Sequence, residues 1–192
     1  MILFINACVR AESRTHRLAE CLLQTLAANN PGEEIRIADL PQIDFPKVDD
    51  HFLDRRTALA GSGAFTDPLF TCANDFAAAG VIVVAAPFWD LSFPAILKQY
   101  LEQICVSGIT FHYQDNVPKG LCRARKLYYV NTAGGPFLED FGYGYVRTLA
   151  QVFFGIPETV LIRAEGLDVE GADVERILQE KEQEIRKLAG MV

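Results

Sequence analysis

One segment near the middle of the chain, an apolar run that ends in an aromatic loop, constrains the fold more than any other. Residues 81–85 are all apolar and mostly β-branched, which is typical of a strand buried on both faces of a parallel sheet. The loop that follows, residues 87–92, contains two aromatic side chains, and a helical pattern starts directly after it. Ligands of open α/β sheets bind beyond the carboxyl ends of the strands, so we expect a ligand site at this loop.

The rest of the chain alternates short apolar runs with amphipathic segments. Runs that predict strands occupy residues 2–5, 34–38, 81–85, 126–131 and 159–164. Helical spacing of apolar residues predicts helices over residues 14–28, 67–79, 92–104, 144–154 and 174–189. This order predicts an α/β fold with a doubly wound, five-stranded parallel sheet and helices on both faces. With 192 residues and no internal repeat, we expect one domain over residues 1–192.

Two of the predicted helices start with a polar residue followed by proline. Asp67 precedes Pro68, and Ser92 lies two residues before Pro94. Aspartate and serine are good helix caps and proline is favoured in the first turn, so both sites predict helix starts. Two further segments lack regular periodicity. We expect residues 41–66 to form a partly helical surface excursion and residues 108–121 to form an extended loop or small hairpin.

Composition excludes several classes of function. Half of the residues are hydrophobic, charged residues make up 22%, and the net charge is −7, which disfavours general binding to nucleic acid or to anionic membranes. No apolar run approaches the roughly 20 residues that span a bilayer. The five cysteines form no C-x-x-C pair and the three histidines lack metal-ligand spacing, so we expect no metal. The cysteine usage and the absence of a positively charged leader indicate the cytoplasm.

A first polar loop lies just before the first predicted helix and contains Arg10, Ser13, Arg14 and Thr15. The N-terminus of a helix offers unsatisfied N–H groups and partial positive charge, and therefore binds phosphate well. The loop contains no glycine and no G-K-[ST] or G-x-G-x-x-G pattern, which favours a monophosphate over a pyrophosphate. The alternative is an ordinary helix cap beside a solvated arginine.

Two further loops follow the third and fourth strands. Phe88 and Trp89 are suited to flank a flat ring, and residues 132–135, Thr-Ala-Gly-Gly, let the backbone approach a ligand closely. Taken singly, the aromatic residues are equally typical of a core or an interface, and the glycines of a plain turn. Together the three loops, at the ends of alternate strands, predict a site for an aromatic redox ring that carries one phosphate, as flavin mononucleotide (FMN) does.

Four motifs give the chain a likeness to a known family over nearly its whole length. They lie at residues 86–100, 108–113 with 118–121, 132–135, and 153–156. On these motifs the chain resembles the flavodoxin-like, FMN-dependent NAD(P)H oxidoreductases of the azoreductase and NAD(P)H:quinone reductase type. The resemblance implies a flavodoxin-like fold and NADH or NADPH as electron donor. It also implies ping-pong transfer of two electrons to quinones, azo compounds or similar aromatic acceptors, and a homodimer with FMN at its interface.

The resemblance also implies roles for individual residues. The FMN phosphate would be held by Arg10, Ser13 and Thr15, with the backbone of Arg14. One side of the ring would be lined by Pro87, Phe88, Trp89, Asp90 and Leu91, and its pyrimidine end would meet Thr132, Gly134 and Gly135. Two further aromatic residues would stack near the substrate, from the neighbouring subunit or the pocket wall: Tyr113, which is also the candidate catalytic proton donor, and Phe153.

Two departures from the family pattern, and two other functions, bear on this interpretation. Asp90 stands where the family usually carries asparagine, and a carboxylate there would oppose an anionic reduced flavin. Ala7 and Cys8 stand where the family often has serine. Cys8 is a candidate nucleophile by position only, without a Cys-His-Asp arrangement.

The alternative functions are an electron carrier without its own small-molecule substrate, and a flavin-free scaffold of the same fold.

Overall fold

Parallel and antiparallel strands are both present in the computed structural model, which describes residues 1–139 and 141–189. The strands are β1 (Ile2–Asn6), β2 (Ile35–Asp39), β3 (Val81–Ala85), β4 (Phe111–Gln114), β5 (Val117–Gly120), β6 (Lys126–Thr132) and β7 (Glu158–Ala164). The α-helices are α1 (Arg14–Asn29), α2 (Asp50–Gly61), α3 (Thr71–Ala78), α4 (Ala95–Ile104), α5 (Tyr143–Thr148) and α6 (Val174–Ala189). A π-helical turn, Leu149–Phe153, continues α5.

Five strands form one parallel sheet in the order β2-β1-β3-β6-β7. The chain starts at β1, adds β2 on one side, and then crosses to β3 and outward on the other side. The order therefore reverses between β1 and β3, which is the switch point where such sheets bind ligands. The predicted doubly wound, five-stranded parallel sheet is confirmed.

The sheet is covered on both faces because its strands are apolar on both faces. Alternate residues of β1 enter opposite cores: Leu3 and Ile5 pack in one, Ile2 and Phe4 in the other. The first core is completed by residues of α3, α4 and α5, and the second by residues of α1 and α6. A strand buried on both sides needs such a continuous apolar run, which is why the sequence pattern identified these strands.

The segment after α4 forms a small antiparallel hairpin of β4 and β5, within the region expected to be a loop or hairpin. Its two-residue turn, Asp115 and Asn116, has positive φ at both positions (52° and 61°), as a type I′ turn requires. The hairpin packs on the end of the π-helical turn. Gly120 makes this contact so closely that an added Cβ would lie 2.1 Å from the carbonyl carbon of Phe154.

Two predicted helix starts differ from the structure. Asp67 does cap, accepting a hydrogen bond from the Leu69 amide at 2.9 Å, but a 3₁₀ turn, Pro68–Phe70, comes before α3. The start predicted at Ser92 is wrong, because α4 begins at Ala95 with no side-chain cap. Ser92 instead exchanges two backbone hydrogen bonds with Trp89, at 3.0 and 2.8 Å, and the helix opens two residues later, where Pro94 is the N-cap.

Candidate active site

A cavity of about 380 Å³ opens at the carboxyl ends of β1, β3 and β6. Four segments line it. The first three are the predicted loops, which contribute Val9, Arg10, Glu12, Ser13, Arg14 and Thr15, then Pro87, Phe88 and Trp89, then Thr132, Ala133 and Gly134. The fourth contributes Leu167 and Asp168. The structure thus brings nine of the twelve predicted cofactor residues together around one space.

The first loop presents the N-terminus of α1 to the cavity. Ser13 is the N-cap, and its hydroxyl oxygen accepts a hydrogen bond from the His16 amide at 3.2 Å. The amides of Arg14 and Thr15 belong to the first turn and have no partner within the helix. Arg10 is exposed and forms no ion pair with any of the residues described. The loop therefore offers N–H donors and one unneutralised cation, which is the chemistry of an anion site.

The floor of the cavity joins α1 to the end of β6. The hydroxyl oxygens of Thr15 and Thr132 lie 2.6 Å apart, and both residues are buried. Nearby, the Asn131 side chain donates a buried hydrogen bond to the Ala86 carbonyl at 2.9 Å, and the Phe88 amide donates to the Thr132 carbonyl at 2.9 Å. The second loop is thereby fixed to β6, so that its aromatic residues form a rigid wall.

The second loop turns through two residues in the left-handed region. Asp90 and Leu91 have φ of 50° and 64°, between the two backbone hydrogen bonds that join Trp89 and Ser92, as in a type I′ turn. Leucine has a steric cost in this region that asparagine or glycine largely avoids. Backbone strain therefore lies beside the mouth of the cavity, next to the 38% exposed ring of Trp89.

The Leu91→Gly variant should be as stable as the wild type to within about 0.5 kcal/mol, because relief of the left-handed strain offsets the burial that the leucine side chain contributes. Leu91 is 42% exposed, so more than half of its surface is buried, and its loss at an unstrained position would cost about 1–2 kcal/mol. Urea denaturation of the ligand-free protein measures the change. Asn116→Gly is the matched control, since asparagine already tolerates its φ of 61° and should change stability by less than about 0.5 kcal/mol. A loss of about 1–2 kcal/mol in Leu91→Gly would show that the turn is not strained.

The third loop lies against the fourth segment. The amide of Asp168 donates to the Gly134 carbonyl at 2.8 Å, Leu167 to Ala133 at 3.3 Å, and Gly166 to Gly135 at 3.3 Å. Gly134 has no room for a side chain, because a Cβ there would lie 2.2 Å from the Asp168 carboxylate. In the described part of the chain, the amides of Gly134 and Gly135 donate to no acceptor, so they can donate to a ligand.

The fourth segment was missed by the sequence analysis. Asp168 forms an ion pair with Arg14, with 2.7 Å between the carboxylate Oδ1 and the guanidinium Nη1. These partners are 154 positions apart in sequence, and no local pattern joins them. The one signal in the sequence was position, since residues 166–168 directly follow a predicted strand, as the three predicted loops do.

Cys8 lies next to the first loop but is not a reactive thiol. It is buried, with 6% of its surface exposed, and its sulfur lies 3.8 Å from the Ala85 carbonyl oxygen. Burial raises the pKa of the Cys8 thiol to about 11, against a smaller opposing effect of the Ser13 hydroxyl. The thiol is therefore protonated at neutral pH, which argues against a nucleophilic role for Cys8.

Alkylation of Cys8 should accordingly be slow at pH 8 and accelerate only as the pH approaches 11, because the thiolate is the reacting form. The measurement is the rate of iodoacetamide labelling at Cys8, followed by peptide mass spectrometry between pH 7 and 11. A free cysteine peptide labelled in parallel should level off near its ordinary pKa of about 8.5. Labelling of Cys8 that matches the free peptide would contradict the burial argument.

Five predicted site residues lie outside the lining of the cavity. Asp90, Leu91 and Gly135 adjoin lining residues in the chain, whereas Tyr113 and Phe153 belong to the hairpin and the π-helical turn. Both of these rings contact Phe111, with centroids 5.5 and 5.1 Å away. Tyr113 is 59% exposed. Their contact with FMN or substrate stays a prediction.

Two further findings concern metal-ligating side chains and membrane-spanning helices. Among residues 1–139 and 141–189, no group of three or more His, Cys, Asp or Glu side chains is arranged to hold a metal ion. Within the same residues, no helix combines the length and the apolar composition that crossing a bilayer demands.

The chain belongs to the family described as having the flavodoxin-like fold, whose model matches residues 1–189. It is 36% identical over 186 residues to the FMN-dependent NADH:quinone oxidoreductase 2 of Clostridium acetobutylicum, covering 93% of this chain and 92% of that protein. The FMN-dependent NADH:quinone oxidoreductase of Lachnoclostridium phytofermentans is 33% identical and covers 100% of this chain and 96% of its own length.

A solved structure is similar to this chain over its whole length. The azoreductase from Bacillus anthracis str. Sterne superposes with a TM-score of 0.86 at 25% identity, covering 100% of this chain and 99% of that one. The resemblance stated from the sequence motifs is thus confirmed.

Proposed function

We propose that this protein is an FMN-dependent NAD(P)H oxidoreductase that transfers two electrons to quinones, azo compounds or similar aromatic acceptors. Of the relatives named above, two are named FMN-dependent NADH:quinone oxidoreductases and the third an azoreductase, which supports this proposal. The observation that carries the proposal is the cavity itself, where an anion site, an aromatic wall and a glycine-lined backbone edge converge. These are the three kinds of group that a phosphorylated, flat, heteroatom-rich ring requires.

The residues present fit FMN. A phosphate group fits beside the first turn of α1, where Arg10, Ser13 and Thr15 with the Arg14 amide would hold it. The ring would lie against Pro87, Phe88 and Trp89, with Asp90 and Leu91 at its edge. Gly134 and Gly135 carry no side chain, so Thr132, Gly134 and Gly135 would meet the pyrimidine end largely through backbone groups.

The flavin, when bound, supplies the hydride and electron chemistry, and the protein binds and orients it. The amides of Gly134 and Gly135 would stabilise negative charge that develops on the ring, if they donate to it. Phe88 and Trp89 would shield one side of the ring from water. Asp90 would act through its backbone, since its side chain is outside the cavity lining; its carboxylate would then disfavour the reduced ring only weakly.

The remaining elements of the proposal concern assembly and location. The exposed Tyr113 and the neighbouring Phe153 would approach the FMN of a second copy in a homodimer, where Tyr113 would be the proton donor. One FMN domain spanning residues 1–192 would act in the cytoplasm, without nucleic acid or membrane partners. NADH or NADPH would serve as donor.

Steady-state kinetics tests the proposed reaction. NADH and a quinone that occupy the same exposed face in turn should give parallel lines in double-reciprocal plots at several fixed quinone concentrations. Lines that intersect would contradict the ping-pong order but not the activity. Absence of NADH oxidation with quinone, azo dye or free flavin as acceptor would favour the electron carrier instead.

A further inference from the structure

Two side-chain contacts, here called the buried bridge and the outer bridge, cross the α1 side of the cavity. The buried bridge is the hydrogen bond between the Thr15 and Thr132 hydroxyls. The outer bridge is the ion pair between Arg14 and Asp168, whose side chains are 40% and 68% exposed. Both bridges run from the start of α1 to the side of the third loop, and all four residues line the cavity. The threonines therefore mark its floor, and the ion pair lies at its rim.

In the outer bridge, Asp168 is the residue whose backbone is tied to the third loop. Its amide donates to the Gly134 carbonyl at 2.8 Å, and its carboxylate lies so close to Gly134 that no Cβ fits between them. Arg14 has a long, flexible side chain. Its guanidinium can therefore adapt to the carboxylate of a residue whose backbone is tied to the third loop.

Arg10 has no such partner. It lines the same cavity, and within the described residues it makes no ion pair. Since Asp168 neutralises Arg14, Arg10 is the lining cation left to balance a dianionic phosphate.

We propose that Asp168 is a positioning residue that holds Arg14 across the rim and slows the escape of any bound flavin, phosphorylated or not. The phosphate contact of Arg10, already part of the proposed FMN site, would instead distinguish FMN from riboflavin. This inference rests on the proposed FMN site and specifies which residues of that site retain the ligand.

The test compares FMN with riboflavin, which lacks the phosphate, on the full-length protein. Equilibrium affinity and dissociation rate are followed by the quenching of flavin fluorescence. Arg10→Gln should weaken the binding of FMN by about tenfold or more, because a charge-assisted hydrogen bond is lost. The affinity for riboflavin should stay unchanged. Arg14→Gln and Asp168→Asn should each raise the dissociation rates of both flavins about two- to fivefold, as for an exposed ion pair.

The matched control is Arg17→Gln. Arg17 lies one turn further along α1 and pairs at 2.7 Å with Glu175 and with Glu182 of α6, but it does not line the cavity. The Arg17→Gln variant should have the same affinity and dissociation rate as the wild type for both flavins. The double variant Arg14→Gln/Asp168→Asn should dissociate no faster than either single variant, and Arg14→Lys should restore part of the retention. Thermal unfolding of each variant establishes that it is folded.

Three results would overturn the inference. The first is unchanged dissociation in Asp168→Asn. The second is tighter FMN binding in that variant, which would mean that the released Arg14 binds phosphate. The third is an Arg14→Gln effect confined to FMN. Failure of the wild type to bind either flavin is a separate outcome, because it would remove the proposed function itself.

Discussion

Replacing Gly120 with alanine is expected to cost about 3 kcal/mol of the free energy of unfolding. The added Cβ would lie 2.1 Å from the carbonyl carbon of Phe154 and 2.2 Å from the Gly155 nitrogen. Both are backbone atoms, and Phe154 is buried against Phe76 with ring centroids 4.8 Å apart, so neither can move aside cheaply. The hairpin would have to lift from the π-helical turn, carrying Tyr113 with it.

Urea denaturation followed by circular dichroism measures this cost, with Gly144→Ala as the matched control. Gly144 lies in α5, and no atom lies within 4 Å of the position that a Cβ would take there, so alanine should be neutral or stabilise slightly. Equal unfolding midpoints for Gly120→Ala and the wild type would mean that the hairpin does not pack as closely as described.

Gly134→Ala should weaken FMN binding by about tenfold or more, through overpacking of the third loop. Its Cβ would lie 2.2 Å from Oδ2 and 3.1 Å from Cβ of Asp168. The backbone hydrogen bond from Asp168 to the Gly134 carbonyl, at 2.8 Å, keeps the two residues together. Relief requires the Asp168 carboxylate to rotate away, which breaks the Arg14 ion pair. The 3.1 Å contact with its Cβ requires a further shift of a few tenths of an ångström in the loop whose amides would meet the ring.

Fluorescence titration with FMN measures the effect, and Gly135→Ala is the control because nothing lies within 4 Å of a Cβ at that position. That variant should retain affinity within about threefold, a change of about 0.6 kcal/mol. If the two variants bind FMN equally, the third loop does not meet the flavin at Gly134.

Much of the fold was predictable because its strands are buried on both faces. Runs such as Val81–Ala85 are uninterrupted by polar residues, and α1 begins directly after a capping serine, Ser13. The convergence of three loops followed from the same argument, since the carboxyl ends of parallel strands lie at one edge of the sheet. The same geometry places the residues from Arg10 to Thr15 at that edge.

The misses have one physical origin, which is competition between local signals and contacts made elsewhere. Ser92 has the sequence pattern of a helix cap, but its backbone is taken by the turn from Trp89. Leu91 gives no sign of a left-handed φ, because leucine rarely adopts one. Asp168 is one of several acidic residues near the last helix, and its role depends on Arg14, 154 positions away. Such long-range pairs become visible only once the fold places them together.

We propose that this cavity binds FMN and that a nicotinamide donor reduces the bound FMN there. The most direct test loads the purified protein with FMN, removes the excess, and records the visible spectrum without oxygen while NADH and then a quinone are added. We expect oxidised-flavin bands that bleach with NADH and return with the quinone. Bound flavin that keeps its oxidised bands with both NADH and NADPH, or a protein that retains no flavin, would contradict it.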